Sequence, residues 1–135
     1  MSVESWDPGG GGAALERGTI ARFVAASARL DAPRFGLGPT EAGELAPLAR
    51  HRPNVAGDWA AAAEGLGDAD IERLIRLFTL AESRLSGWEA GDASPVIPLV
   101  RELKRRGAYP RELHSWIKAN TENRFLPYGN LMDRL

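Results

Sequence analysis

The chain contains no cysteine. Disulfides, thiolate nucleophiles and every cysteine-ligated zinc or iron–sulfur site are excluded together. Histidine is nearly as scarce. His51 and His114 are the only two, too few for a metal site built on histidine alone, and neither stands in an H-E-x-x-H or Glu-x-x-His spacing. Long apolar runs are missing as well, since no stretch approaches the roughly 20 residues of a membrane-spanning helix. The first residues lack the basic start and apolar core of a secretory signal. The expected location is the cytoplasm, with no membrane contact. Strand-like alternation of useful length is absent, and so is any internal repeat.

What remains is a chain of 135 residues, 44% hydrophobic and 26% charged. That is the size and make-up of one ordinary globular domain, burying roughly two-thirds of the surface its unfolded form exposes. The net charge of −1 conceals a polarity: residues 1–93 hold 9 basic and 14 acidic side chains, whereas residues 94–135 hold 8 basic and 4 acidic. A basic C-terminal third suits an acidic protein surface or nucleic acid, and equally suits the acidic remainder of the same chain.

Residues 1–12 include Pro8 and the run Gly9 to Gly12 and read as a disordered tail, because glycine gives up the most entropy on ordering. A phosphate-cradling loop would need a preceding strand and a following Lys with Ser or Thr, and has neither. Residues 13–135 read as a single all-α domain, a compact bundle of five or six short helices. Leu15, Ile20, Phe23, Val24 and Ala28 recur at helical intervals between Ala13 and Leu30. Pro33, Gly36, Gly38 and Pro39 break residues 31–40 into a loop. A helix from Thr40 to Arg50 follows, then an alanine-rich one with Asp58 in its first turn and Gly65 and Gly67 at its end.

The strongest element spans residues 68–85, with Asp68 as the expected N-cap and Asp70 and Glu72 at the positive end of the dipole. Ile71, Leu74, Ile75, Phe78, Ala81 and Leu85 form one stripe, while Leu77 and Leu80 lie off it. A helix apolar on more than one face is expected to be central, or to meet a second copy of the chain. Glu82 falls inside the stripe, where a carboxylate needs a partner. Its position near the helix end predicts that it reaches water or an arginine.

Ser94 and Pro95 read as the start of the next helix, which must begin between Pro95 and Pro98 and end at the C-cap Gly107. Pro110 then opens a helix running to about Asn120. Each of the two helices buries one side and shows basic residues on the other: Arg101, Lys104 and Arg105 on the first, Arg111, His114 and Lys118 on the second. A helix–turn–helix would set Arg111, His114, Ser115 and Lys118 against DNA, with Arg101, Lys104 and Arg105 near phosphates. Glu102 and Arg106 occupy positions that such a motif expects to be apolar, and Lys104, Arg105 and Arg106 also complement the helix dipole whatever the protein does.

Beyond Asn120, the segment "NTENRFLPYG" places Arg124, Phe125, Leu126 and Tyr128 where Pro127 and Gly129 forbid helix. These apolar side chains either complete the core or line a groove with Arg124 at its rim that accepts a partner. For catalysis, His51, His114, Glu82, Glu122 and Asp133 stand without any spacing that unites a nucleophile, a base and a charge stabiliser. The expectation is a non-catalytic interaction or regulatory module with no cofactor and no metal. It binds a protein partner through Arg101, Lys104, Arg105, Arg111, His114, Lys118, Arg124, Phe125 and Tyr128. The alternatives are nucleic-acid binding through residues 96–121, or an enzyme whose site the sequence does not announce. A homo-oligomer is also open.

Overall fold

A computed structural model describes residues 16–50 and 55–127. The expected tail, His51, Tyr128 and Asp133 lie outside the described residues. Six α-helices make up the described chain: α1 (Arg17–Ser27), α2 (Pro39–Arg50), α3 (Val55–Glu64), α4 (Asp68–Arg84), α5 (Val96–Arg106) and α6 (Arg111–Asn120). Two short 3₁₀ turns, Pro33–Gly36 and Gly91–Ala93, interrupt the loops. The described residues contain no strand, and no described helix is long and apolar enough to cross a membrane.

The doubly apolar pattern of α4 has its consequence here. This helix packs against α1, α5 and α6, and α5 also packs against α3. Leu77 and Leu80, which stand off the main stripe, are both buried within the monomer. They need no second copy to leave water. At the centre, Phe78 of α4 meets Phe23 of α1 and Trp59 of α3 with ring centroids 5.3 and 5.2 Å away, and Phe23 meets Trp59 edge-on at 5.4 Å. Trp88, in the α4–α5 connection, stands 6.4 Å from Phe78. Such rings each contribute about 1.5–3 kcal/mol by burial, with about 0.5–1.5 kcal/mol more per well-oriented pair. The Trp59 indole N–H donates to the Ala49 carbonyl at 2.9 Å, so the largest core side chain leaves no buried donor unpaired.

Helix ends follow local chemistry with two departures. Gly67, rather than Asp68, takes the extended cap position of α4, and the Asp68 carboxylate pairs with Arg106 across 38 residues of sequence. At α5, Pro95 already has helical backbone angles and Ser94 is extended. The Ser94 hydroxyl accepts the Val96 N–H at 3.1 Å and its carbonyl accepts the Ile97 N–H at 3.2 Å. Pro98 therefore falls within the first turn, where a missing N–H costs little. Gly107 ends α5 in the left-handed region, at φ +70°. Its own N–H and that of Ala108 return to the Lys104 and Leu103 carbonyls.

Candidate functional site

Two buried carboxylates, Glu82 and Glu102, hold the C-terminal half in place. Glu102 is only 7% exposed. Arg105 grips it with two nitrogens, and Arg106 Nε donates to it at 2.7 Å. Arg106 also reaches the Ala63 carbonyl at 2.9 Å and Asp68 at 2.8 Å, tying α5 to the end of α3 and the start of α4. The hydrogen bonds from Arg105 and then Arg106 pull the Glu102 carboxyl down to about 2, against desolvation that pushes the other way. The two residues that disagree with a helix–turn–helix pattern thus form an ion-pair hub.

Glu82 is 6% exposed, which corrects the expectation that its place near the helix end lets it reach water. Ser94 donates its hydroxyl to Glu82 Oε2 at 2.7 Å, and the Asn123 amide approaches Oε1 at 3.5 Å. Asn123 also donates to the Gly91 carbonyl at 2.8 Å and accepts the Phe125 N–H at 2.9 Å. Ser83 accepts the Glu122 N–H at 3.1 Å. The irregular segment is thereby fastened to the end of α4. Leu126 is fully buried and Phe125 packs partly buried against the core, so these two apolar residues of the loop complete the interior.

The candidate binding residues fall into separate settings. Arg101, Lys104 and Arg105 lie exposed on α5, and Arg111 and Lys118 lie exposed on α6, whose main packing partner is α4. His114 is half-buried, with Nδ1 3.0 Å from the Tyr109 hydroxyl. Burial first, and then Lys118 and Lys104, hold its pKa below the ordinary histidine value. That coupling brings Lys104 of α5, Lys118 of α6 and the imidazole into one electrostatic neighbourhood. Arg101 instead borders a small hollow of about 160 Å³ with Val55 and Asp92. Arg124 and Phe125 border another of about 310 Å³ beside Glu82, Glu89 and Glu122. Trp116 serves the fold, lying beneath the Arg76 guanidinium at 4.7 Å.

No family model, curated protein or solved structure matches the chain. Function must therefore be read from these groups themselves. Among the described residues no three histidine, aspartate or glutamate side chains converge as metal ligands. Sequence reasoning singled out Glu82 and Ser94 separately, but it missed Asn123, the residue that joins the loop to them. No local pattern marks a side chain whose partners lie 32 and 41 residues away. The Tyr109–His114 contact, five residues apart, also follows no helical interval, because Tyr109 precedes the helix.

Proposed function

We propose that the protein is a helical interaction module that receives an acidic segment of a protein partner on the face carrying Lys104, Arg111, His114 and Lys118. One observation supports the reading above all. In the N-terminal and central part of the chain, four arginines are matched by carboxylates: Arg22 with Glu44, Arg29 with Glu41, Arg73 with Asp70 and Arg76 with Glu72. Arg101, Arg111, Lys118 and Arg124 are exposed and meet no carboxylate among the described residues. Of the other arginines with described side chains, Arg17 and Arg84 share that condition. Of the exposed four, Arg111 and Lys118 share a face of α6 with His114, which Lys104 also neighbours. Like charges so gathered repel, and an acidic partner relieves that repulsion and is steered to the face.

A second reading, nucleic-acid binding, draws on the short turn between α5 and α6 with left-handed Gly107 and on the exposed basic edge of α6. Glu112, exposed on the same helix, and the negative net charge speak for protein instead. Fluorescence polarisation separates the two. A labelled glutamate-rich peptide with interspersed leucines and a labelled random-sequence DNA duplex are titrated at low and moderate salt, with wild type and with the Arg111→Ala, Lys118→Ala double variant. The expected result is peptide binding that weakens at least tenfold in the variant, without comparable DNA binding. Salt-steep DNA binding that falls in the variant selects the second reading. Binding of neither probe at low salt, where charge is least screened, overturns both.

A further inference from the structure

A larger hollow than either of those beside Arg101 and Arg124 lies on another face. It is a groove of about 750 Å³ between α1 and α3, closed at one end by the first turn of α4. Its floor is Ile20, Val24, Ala62 and Leu66, all half-buried, and between Arg17, Asp58 and Asp70 its rims carry small side chains such as the exposed Ala25 and Ala61. Helices α1 and α3 each pack mainly on other elements, α1 on α4 and α3 on α5. Beyond the Phe23–Trp59 contact at the core, the trough between them is left open. A trough with small rims and an aliphatic floor accepts one bulky flat apolar side chain and the short stretch of backbone that carries it.

We propose that this groove is occupied in cis by the segment around Trp6, so that the chain supplies its own ligand. Three observations select this occupant. Trp6 is the one aromatic in residues 1–15 and is flanked closely by Glu4 and Asp7. Arg17, which borders the groove, is exposed and has no carboxylate partner among the described residues. Of the carboxylates lining the same groove, Asp58 is buried and Asp70 is paired with Arg73, so Arg17 is the exposed charge left to meet Glu4 or Asp7. The third is reach. The eleven steps of chain from Trp6 to Arg17 span at most about 36–40 Å when extended. The groove wall along α3, from Asp58 to Ala62, is only about 6 Å long at helical rise. Gly9 to Gly12 lie between and let the chain reverse direction without steric cost. A tether this short gives an effective concentration on the order of millimolar, so even a millimolar intrinsic affinity holds the segment docked about half the time. A second copy of the chain, or a separate partner, has to compete with that advantage.

The full chain is labelled with 5-fluorotryptophan and its ¹⁹F spectrum recorded. Trp6→Phe assigns one of the four tryptophan resonances to Trp6. The expected Trp6 resonance is displaced from its position in the urea-unfolded chain. It returns to that position in Ala25→Glu, which narrows the groove and repels Glu4 and Asp7, while the Trp59 and Trp88 resonances stay in place and report an intact core. Ala61→Glu on the opposite rim gives the same outcome independently, should the first substitution disturb α1. A Trp6 resonance already at its unfolded position in wild type overturns the proposal. So does a displacement that survives both rim variants, or one that disappears on dilution and so belongs to a second molecule.

Discussion

Asn123→Ala removes the side chain that fastens the C-terminal segment to α4 and to the α4–α5 connection. In the folded chain the amide donates to the Gly91 carbonyl at 2.8 Å and accepts the Phe125 N–H at 2.9 Å. Its approach to Glu82 is longer, at 3.5 Å, and adds little by itself. Two well-formed hydrogen bonds at about 0.5–1.5 kcal/mol net each give a loss of about 2 kcal/mol. The groups left behind are only partly buried, so water recovers some of their pairing and the figure does not climb further. For a chain of this size about 2 kcal/mol lowers Tm by roughly 6–10 °C. Thermal melts followed by circular dichroism measure it, and hydrogen exchange shows whether residues 121–127 open first. Asn123→Asp is the informative companion. It keeps the acceptor for Phe125 but sets a second carboxylate against Glu82, so at neutral pH it is at least as unstable as the alanine variant. In acid it recovers, as the pair takes up a proton. An alanine variant melting within about 2 °C of wild type, or an aspartate variant more stable than alanine at neutral pH, refutes the reasoning.

Three further outcomes follow from the geometry. The Glu102 carboxyl is held at about 2, below its unfolded value, by Arg105 and Arg106. Its stabilisation is therefore full above the unfolded carboxylate pKa of about 4.3 and is lost as pH falls towards 2; Glu102→Gln removes that part of the acid transition, as equilibrium unfolding at pH 2 to 6 will show. Gly107→Ala forces a Cβ into the left-handed region and costs about 1–2 kcal/mol in urea unfolding, with Gly107→Asn milder because asparagine tolerates that conformation. His114 titrates below the ordinary histidine value in an NMR pH series, because of burial first and of Lys118 and Lys104 second. Bound acidic peptide raises that midpoint, so binding tightens as pH falls through it.

The all-α class and the late helix boundaries were legible because their signals are local. Pro98 and Pro110 mark helix starts, and Gly107 marks an end. The doubly apolar face of α4 announced its central place, since a helix cannot hide two stripes against one neighbour. The two carboxylate networks were not legible, because each joins residues from three or more segments. Glu102 is the clearer case. Its carboxylate is buried, and only the return of Arg105 and Arg106 from the next turn makes burial of the charge tolerable. The basic stripes of α5 and α6 were visible as patterns. Which cations are already matched by a carboxylate depends on tertiary contacts, as Arg106 with Asp68 demonstrates.

The aromatic cluster has an optical consequence. Trp59 and Trp88 both stand against Phe23 and Phe78, held edge-on or tilted by α1, α3 and α4 together. Rings fixed in so asymmetric a setting give near-ultraviolet dichroism only while the three helices keep their mutual packing, and lose it in a collapsed chain that retains its helices. The protein therefore carries an intrinsic reporter that distinguishes a finished core from one that is merely helical, with no label attached.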